Sequence, residues 1–246
     1  MSEESQAKKG EKLHEGKAKV LFATDRSDQV IQYFKDDATA FNGEKKGSIA
    51  DKGVANNVIS YKLMTILEAV GIPTHMVAKL DDRNQLVKKV EIIPLEVVVR
   101  NIVAGSMAKR LGIKEGTKLP RPVVEFYYKD DALDDPLVTL DHVDMFGWAT
   151  EEDLDTIFDY THRINDILIA FFANIGVTLV DYKLEYGKLV GGEENGIVLA
   201  DEISPDSCRL WDMETGEKLD KDRFRRDMGG VAEAYQEVVR RMGLSG

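Results

Sequence analysis

The stretch 177–187 constrains the fold most, because its sequence VTLVDYKLEYG alternates from residue 180 onward between apolar or aromatic residues and charged ones. β-Branched and aromatic content with a period of two predicts a strand, with Asp181, Lys183 and Glu185 on one face. Neighbours two apart on a strand lie about 6 to 7 Å from each other, so the three charged groups are close enough to act on one ligand. A solvated strand face is the alternative, and alternation alone favours it.

Composition excludes several classes of protein. The chain has 246 residues and is 43% hydrophobic, enough for one large domain or two tightly joined ones. Its 44 acidic and 33 basic residues give a net charge of −11, which disfavours nucleic acid or an anionic membrane as the main partner unless the basic residues cluster. The single Cys208 excludes an internal disulfide and a thiolate metal cluster. No long apolar run or signal-peptide pattern occurs, so we expect a cytoplasmic protein.

The N-terminal part predicts a loose tail followed by a hairpin. Residues 1–12 are polar without periodicity, whereas 17–22 and 30–34 alternate like paired strands. In such a hairpin Lys17 and Lys19 point the same way and form a paired cation. The alternative is two solvated edge lysines that discourage aggregation, and this alternative is the better one without other support.

More strands and one helix complete the first hundred residues. The segment 35–53 has no usable period and predicts a binding loop, a lid or disorder, with a turn at its Phe-Asn-Gly sequence. An amphipathic helix is predicted over 54–70, with residues 54, 58, 61 and 67 on its apolar stripe and Gly-Ile-Pro as its stop signal. Three strands are predicted after it, at 75–80, 86–92 and 95–102.

Arg100 ends the last of these apolar strands and lies close to a predicted helix at 107–111. Ser106, at the start of that helix, has two interpretations. It caps the helix, which is the commoner case, or it joins nearby backbone N–H groups in holding an anion. Arg100 and Ser106 together are a weak signal for phosphate binding.

The middle of the chain contains an acidic cluster and a long helix. After a predicted strand at 123–128, the cluster within 129–136 is either a solvated turn or a cation site. Thr150 followed by Asp153 predicts a capped helix start, and Gly176 marks the helix end after about residue 174. Its predicted buried stripe comprises Leu154, Ile157, Phe158, Ile164, Leu168 and Phe171.

The segment 197–202 predicts the strand that returns beside 177–187, so Asp201 would lie across from Glu185 to within a residue or two. Like charges placed opposite each other destabilise a sheet unless a cation lies between them. Oxygen-only ligands favour Mg²⁺ or Mn²⁺, and two carboxylates suit Mg²⁺ carried by nucleotide phosphates. Beyond them we expect a turn-rich loop at 203–211 and helices near 221–227 and 231–242.

Familiar nucleotide-binding motifs are absent from the sequence. It has no Walker sequence, no Gly-x-Gly-x-x-Gly opening a helix and no kinase His-Arg-Asp loop. The four histidines are scattered without ligand spacing, so we interpret them as structural or solvent-facing. Cys208 is a candidate reactive thiol only by its position beside a charged loop.

Four segments closely resemble the SAICAR synthetase family of purine biosynthesis. They are EGKAK at 15–19, PLEVVVRNIVAGS at 94–106, VDYKLEYG at 180–187 and DEISPD at 201–206. Each motif alone is weak, but four in this order are specific, and the resemblance spans 13–243. This chain departs from the family in having His14 where an aromatic is usual, Cys208 at a small-residue position, and an extended turn at 191–196.

The resemblance implies an activity. The family joins L-aspartate to the carboxylate of carboxyaminoimidazole ribonucleotide (CAIR), uses Mg-ATP, and releases ADP and phosphate. A carboxylate is inert to an amine, so ATP must first create a better leaving group, most simply an acyl phosphate. Positioning and charge neutralisation then carry the catalysis.

Roles for individual residues follow from the resemblance. Lys17, Ala18 and Lys19 would bind ATP, and Glu185 and Asp201 would hold Mg²⁺ on the nucleotide. Two residues after the predicted strand at 123–128 are weaker candidates: Lys129 for a contact with the nucleotide and Asp135 for a contact with a second metal ion.

The remaining implied residues contact the other substrates. Asp181 and Lys183 would lie where the nucleotide meets the imidazole substrate, and with Lys129 they form the expected catalytic set. The ribonucleotide phosphate would be bound by three residues: Arg100, Ser106 and Arg209. The aspartate pocket would be formed by the loops at 39–43 and 204–206, with Asn42 and Asp206 as its candidate residues.

The implied fold is α+β. A tail at 1–12 precedes an antiparallel β domain with one helix at 13–92 and a larger mixed domain at 93–246, with ATP in the cleft between them, distantly as in protein kinases. The family is commonly dimeric, so we expect a homodimer. Two alternatives are a kinase-like phosphotransferase acting on a hydroxyl and a non-catalytic regulator that binds a nucleotide or a divalent cation.

Overall fold

The structure is a computed structural model that describes residues 7–40, 43–191 and 196–244. In chain order the strands are β1 (Lys12–Glu15), β2 (Lys19–Ala23), β3 (Gln29–Phe34), β4 (Asp37–Ala40), β5 (Lys45–Ser48), β6 (Met76–Lys79), β7 (Asn84–Lys88), β8 (Val90–Ile102), β9 (Lys118–Tyr128), β10 (Leu137–Val138), β11 (Val177–Leu189), β12 (Ile197–Ala200) and β13 (Cys208–Asp212). The helices are α1 (Lys52–Ala69), α2 (Gly105–Leu111), α3 (Leu140–Met145), α4 (Glu151–Asn174), α5 (Asp222–Arg225) and α6 (Val231–Arg241), with a 3₁₀ turn at Asp131–Leu133.

The first sheet is antiparallel and has the strand order β1-β2-β3-β7-β6. The predicted hairpin is confirmed as β2 and β3, in which Lys19 pairs with Phe34 and Leu21 with Gln32. Strand β1 begins at Lys12, so regular structure starts one residue inside the predicted tail. Helix α1 packs on this sheet and against α6.

Helix α1 is buried over a wider surface than the predicted stripe. Ala55, Ile59 and Leu63 are fully buried, whereas Val54 and Tyr61 of the predicted stripe are only partly buried. The helix lies between the first sheet and α6, so it packs on two sides. A single amphipathic stripe describes a helix that packs on one side only.

A short hairpin replaces much of the loop expected at 35–53. Strands β4 and β5 pair from Asp37 with Ser48 to Ala40 with Lys45. The Phe-Asn part of the predicted turn, and with it the candidate residue Asn42, lies outside the described residues. The loop prediction was wrong for β4 and β5, because the hairpin is held by backbone pairing and its sequence carries little apolar alternation.

The second sheet is built around β11. Its strand order is β10-β9-β8-β11-β12, and β13 also pairs with β11. Strand β12 pairs with the later part of β11, with Glu185 opposite Ala200, and β13 pairs with the earlier part, with Thr178 opposite Trp211. The loop expected at 203–211 is therefore wrong in its second half. Turn-forming residues dominate the start of that segment and conceal a strand of five residues.

Strand β8 is continuous from Val90 to Ile102 and so crosses the predicted domain limit at 92/93. Ile92 already pairs with Gly187 of the second sheet. The hydrophobic core extends from the first sheet through α1 into the second sheet without interruption. The division into a tail, a first domain and a larger second domain stays a prediction.

Helix α4 delivers the chain into β11. Its predicted start is confirmed, since Thr150 and Asp153 form both bonds of a capping box. The fully buried stripe includes Ile157, Ile164 and Leu168 as predicted, but Phe172 rather than Phe171. In the three described ranges none of the helices combines the length and apolar character needed to cross a membrane.

Candidate active site

A cavity of about 980 Å³ is lined by residues of both larger sheets. Strands β2 and β3 contribute from one sheet, and β8 and β11 from the other. The loops that follow β12 and precede α5 complete the wall. Every described residue that the family resemblance assigned to the site lines this cavity: Lys17, Ala18, Lys19, Arg100, Ser106, Lys129, Asp135, Asp181, Lys183, Glu185, Asp201, Asp206 and Arg209. Asn42 lies outside the described residues.

The charged face of β11 points into this cavity. Asp181 is 2% exposed and Glu185 is 6% exposed, and Lys183 is only partly exposed. The opposite face carries Tyr182 and Tyr186, which are fully buried in the core. The interpretation as a solvated strand face is therefore wrong, because Asp181 and Glu185 on that face are buried.

Lys183 supplies the cation that the facing carboxylates require. Its Nζ lies 2.5 Å from Glu185 Oε1, 2.9 Å from Glu96 Oε1 and 3.9 Å from Asp201 Oδ2. Burial favours the neutral amine, but the three carboxylates outweigh it and raise the pKa of Lys183 well above its ordinary value. The ammonium therefore stays charged and separates Glu185 from Asp201.

Two further lysines reach the same carboxylates. Lys19 pairs with Asp201, and its Nζ lies 2.9 Å from Glu202 Oε1. Burial opposes the charged form of Lys19, yet Asp201 and Glu202 raise its pKa. Lys129 Nζ lies 2.9 Å from Glu185 Oε2. We call Lys19, Lys129, Lys183, Glu185 and Asp201 the lysine–carboxylate cluster.

Lys17 lies apart from this cluster, nearer the rim of the cavity. It pairs with Asp131 at 2.8 Å. Lys17 and Lys19 both line the cavity, but they contact different acidic groups. The interpretation as two solvated edge lysines is wrong for Lys19, whose side chain is 15% exposed, whereas the Lys17 side chain is 43% exposed.

Arg100 and Arg209 form a second charged centre around Asp181. Arg100 Nη1 donates to Asp181 Oδ2 at 2.7 Å, and Arg209 Nη1 donates to the same oxygen at 2.9 Å. Arg100 also donates to Glu125 at 3.0 Å and to Ser106 Oγ at 2.9 Å. We call Arg100, Ser106, Asp181 and Arg209 the arginine centre.

The start of α2 fits against this centre. Ala104 occupies the N-cap position without a side-chain hydrogen bond, so the expectation that Ser106 caps the helix is wrong. Ser106 instead accepts a hydrogen bond from Arg100. Gly105 has a φ of +53°, and a Cβ there would overlap the Arg209 guanidinium, so this close approach requires glycine.

Asp206 is held by two buried partners. Lys52 Nζ donates to Asp206 Oδ2 at 2.6 Å, and Tyr235 Oη donates to Oδ1 at 2.6 Å. Burial opposes ionisation, but Lys221 and Lys52 lower the pKa of Asp206 below its ordinary value. Asp206 lines the cavity, but both of its oxygens already bond to the protein.

The acidic turn at 130–135 is organised by its own backbone. Asp130 accepts from the backbone N–H of Ala132, and Asp135 Oδ1 accepts from the backbone N–H of Asp130, each at 2.9 Å. Asp131 pairs with Lys17. Of the two interpretations of this cluster, these bonds favour the turn. Within the described ranges, no group of three or more His, Cys, Asp or Glu side chains is arranged to hold a metal ion.

The donor set nevertheless fits a nucleotide-borne Mg²⁺. Glu185 and Asp201 present carboxylate oxygens in one cavity, and Mg²⁺ bound by one or two carboxylates takes its other ligands from phosphates and water. The lysines that pair with these carboxylates are the groups that phosphates would attract. A metal role for Glu185, Asp201 and Asp135 stays a prediction.

Several cavity residues escaped sequence reasoning. Glu96 and Arg100 are four residues apart on β8, so the period of two places them on the same face. This alternation could have identified Glu96 from the sequence. Lys221 and Arg225 belong to the charged run before α6 and gave only a weak signal. Glu202 belongs to the DEISPD motif but received no role from the sequence, and it lies against Lys19. Nothing in the local sequence marked His75, which tertiary packing places beside Asp201, or Lys52, which pairs with the cavity residue Asp206.

Cys208 is buried, and three of the histidines are either part of local helix contacts or exposed to solvent. Cys208 is 2% exposed, and burial raises the pKa of its thiol, so it is no nucleophile. His142 completes the capping box of α3, and the His162 ring bonds to the Phe158 carbonyl. His14 is exposed and lines the rim of the cavity.

His75 differs from the other histidines in being buried at the cavity wall, with 3% exposure. Burial lowers the pKa of its imidazole to about 4, so the ring is neutral at physiological pH. The negative charge of Asp201 acts the other way and raises that pKa, but burial outweighs it.

Comparison with known sequences identifies relatives along nearly the whole chain. The profile of the family described as SAICAR synthetase matches residues 12–242. A phosphoribosylaminoimidazole-succinocarboxamide synthase of Magnetococcus marinus is 70% identical over 236 residues, covering 96% of this chain and 97% of the relative. One of Gluconacetobacter diazotrophicus is 62% identical over 232 residues, covering 94% of this chain and 91% of the relative.

Solved structures agree with these relatives. The crystal structure of phosphoribosylaminoimidazole-succinocarboxamide synthase from Ehrlichia chaffeensis superposes with a TM-score of 0.94 at 50% identity, covering 96% of this chain and 100% of that chain. A SAICAR synthetase in complex with ADP superposes with a TM-score of 0.90 at 45% identity, covering 94% of this chain and 97% of that chain. The α+β fold is therefore confirmed, and this chain belongs to the SAICAR synthetase family.

Proposed function

We propose that this cavity carries out the reaction for which the family is named. The chain is an ATP-dependent ligase of purine biosynthesis, which forms an amide between the carboxylate of CAIR and L-aspartate. Its products are SAICAR, ADP and phosphate. The related SAICAR synthetase solved with ADP supports nucleotide binding by this chain as well.

The observation that carries the proposal is the presence of two cationic centres in one cavity. The lysine–carboxylate cluster offers Lys19, Lys129 and Lys183, and the arginine centre offers Arg100 and Arg209. The ligase reaction brings together a triphosphate and a ribonucleotide monophosphate. These two anions must bind close together, each at its own position. One cationic centre for each ligand meets this requirement.

The first chemical step concerns the triphosphate. A CAIR carboxylate oxygen attacks the γ-phosphorus, and the bond from that phosphorus to the ADP oxygen breaks. Lys19 and Lys183 would contact the phosphates and neutralise charge that spreads over their oxygens. When bound by Glu185 and Asp201, Mg²⁺ would screen the same phosphate charge.

In the second step the α-amino group of aspartate attacks the acyl carbon, and phosphate leaves with the electron pair of the broken C–O bond. As the amide forms, the nitrogen loses one proton, which the leaving phosphate takes up. Lys183 and Asp181 lie on one face of β11, Lys183 in the lysine–carboxylate cluster and Asp181 in the arginine centre, and would keep the acyl group aligned with both.

The arginine centre would bind the CAIR phosphate. Asp181 already bonds to both guanidinium groups, which leaves their positions set before the ligand arrives. Ser106, which accepts from Arg100, would turn its hydroxyl proton to a phosphate oxygen. The aspartate substrate would lie near Asp206 and Asn42, as the family resemblance implies.

An assay in which each substrate is omitted in turn tests the function. ADP release that requires both CAIR and aspartate is the expected result, with SAICAR as the product. Steady ADP release without aspartate would favour the kinase-like phosphotransferase, and nucleotide binding without turnover would favour the regulator. Neither alternative has a specific observation in its favour.

Assembly and location belong to the same proposal. We expect a homodimer in the cytoplasm, from the resemblance to the family. Light scattering coupled to size exclusion should give twice the chain mass of 27.6 kDa. A mass of 27.6 kDa at micromolar concentration would contradict the dimer.

A further inference from the structure

Asp222, the first residue of α5, lies behind the wall of the cavity. Its side chain is 1% exposed, and it does not line the cavity, whereas Arg209 and Arg225 do. Asp222 Oδ2 accepts from Arg209 Nε at 3.0 Å, and Oδ1 accepts from Arg225 Nη1 at 2.7 Å. One buried carboxylate therefore holds two cations of the cavity wall from behind.

The backbone around Asp222 is fixed as well. Its N–H donates to Asp220 Oδ1 at 2.7 Å, and the other oxygen of Asp220 accepts from the Leu210 N–H at 2.7 Å. Asp220 is fully buried and so ties the start of α5 to β13, one residue after Arg209. Burial opposes ionisation of Asp222, but Arg209 and Arg225 outweigh it and lower the pKa of this carboxyl well below its ordinary value. Asp222 is therefore an anion with a fixed position.

Arg209 is held at two of its three nitrogens. Asp222 accepts from Nε, and Asp181 accepts from Nη1 at 2.9 Å. A guanidinium is planar and rigid, so bonds at these two nitrogens together fix its position and its plane. Among the residues that the structure describes, none accepts a hydrogen bond from the third nitrogen, Nη2. A Cβ on Gly105 would meet Nη2 first, so this nitrogen faces the start of α2, beside Ser106.

We propose that Asp222 is a positioning residue for the ribonucleotide phosphate, because it fixes the plane of the Arg209 guanidinium and keeps Nη2 directed at a phosphate oxygen. The inference rests on the proposed binding of the CAIR phosphate by Arg209 and adds the residue that prepares this arginine. Asp181 aligns Arg209 with Arg100, whereas Asp222 sets its rotation. The phosphate then meets a donor that is already in position, so less conformational entropy is lost on binding.

The contribution of Asp222 should depend on the phosphate. Without the bond at Nε, the Arg209 guanidinium can turn about its bond to Asp181, and Nη2 loses its fixed direction. A hydrogen bond between charged groups contributes about tenfold to affinity. The loss should therefore appear for a substrate that carries the phosphate and be absent for the same substrate without it.

Turnover of two substrates separates positioning from general support of the fold. kcat/KM is measured with CAIR and with its nucleoside, which lacks the 5′-phosphate, and the ratio of the two values is the phosphate preference. Asp222→Asn keeps the shape of the side chain and removes its charge, so it should lower the phosphate preference about tenfold and leave the ATP KM within about twofold.

Asp212→Asn is the matched control. Asp212 lies at the other end of β13 from Arg209, its side chain is 12% exposed, and it pairs with Arg241 at 2.5 Å. It does not line the cavity. Its replacement removes a comparable pair of carboxylate and arginine and should leave the phosphate preference unchanged.

A second variant shows whether Asp222 acts through Arg209. Arg209→Lys keeps the charge but lacks the planar group that Asp222 holds, so it should lose as much phosphate preference as Asp222→Asn. The double variant should lose no more than either change alone. Arg209→Lys also keeps the test decisive if Asp222→Asn does not fold.

Three results would overturn the proposal. An equal fall in kcat/KM for CAIR and its nucleoside would show that Asp222 only supports the fold. Additive losses in the double variant would show that Asp222 does not act through Arg209. Full phosphate preference in Arg209→Lys would show that a fixed guanidinium plane is not needed. A wild-type chain that does not consume CAIR would instead contradict the proposed function.

Discussion

Asp181 Oδ2 lies 2.7 Å from Arg100 Nη1, and both side chains are almost completely buried. The same carboxylate accepts from Arg209, so one acidic group sets the positions of two guanidinium groups from different parts of the chain. The sequence predicted a junction role for Asp181 and anion binding for the arginines. Their contact indicates that Asp181 acts by positioning the two arginines that bind the anion.

Replacing Asp181 with Asn should disorganise the arginine centre. Asn keeps the size of the side chain but removes the charge that holds Arg100 and Arg209, so kcat/KM for CAIR should fall at least about tenfold. Unfolding in urea should also show a loss of about 3 kcal/mol, because two buried cations lose a partner. Asp155→Asn, on the exposed side of α4, should change neither measurement.

Replacing Arg100 with Ala should mainly raise the KM for CAIR. The guanidinium is buried among Asp181, Glu125 and Ser106, so its loss removes both a phosphate ligand and the order of its neighbours. We expect a rise of at least about tenfold in CAIR KM with a smaller change in ATP KM. A raised ATP KM with an unchanged CAIR KM would show that Arg100 contacts ATP and would contradict its assignment to the CAIR phosphate.

Replacing Glu185 with Gln should abolish most turnover while the chain stays folded. The change removes a charge that pairs with Lys183 and Lys129 and that would hold Mg²⁺. Initial rates measured across a Mg²⁺ titration should stay low, and circular dichroism should match the wild type. A near-normal rate at saturating Mg²⁺ would contradict the metal role. Glu91→Gln, at an exposed position of β8, is the control.

The pair of Asp206 and Lys52 should make stability depend on pH. The pKa of Asp206 is lowered in the folded chain, so its ionised form stabilises the fold above the ordinary carboxylate pKa of about 4. This contribution is lost as the pH falls below that value toward the lowered pKa. Asp206→Asn should therefore cost about 3 kcal/mol at pH 7 and progressively less below pH 4, measured by urea unfolding. A difference that grows on acidification would contradict this assignment.

Local sequence signals predicted most elements that the chain forms from its own neighbours. The capping box at Thr150 and the alternation along β11 are short-range patterns, and both are confirmed. The α4 stripe was right for Ile157 but chose Phe171 over Phe172, since one residue turns a helix by about 100° and periodicity locates a stripe edge poorly.

Elements without a strong local signal were missed. Strand β13 and the β4–β5 hairpin owe their form to backbone pairing with partners, and α3 is too short to show a period. The family resemblance directed attention to the cavity residues, whereas Lys52 and His75 carry no motif. Lys52 reaches Asp206 across 154 positions of the chain, a separation that periodicity cannot cross.

The sequence alone determined that one strand face would carry Asp181, Lys183 and Glu185, because alternation is a property of the extended backbone. Only the tertiary structure decided what those charges contact. Lys183 became the cation between Glu185 and Asp201, and Asp181 became the anion between two arginines. Pairing of this kind depends on distances between strands and loops remote in sequence, and burial makes it decisive, since a buried charge without a partner is too costly to keep.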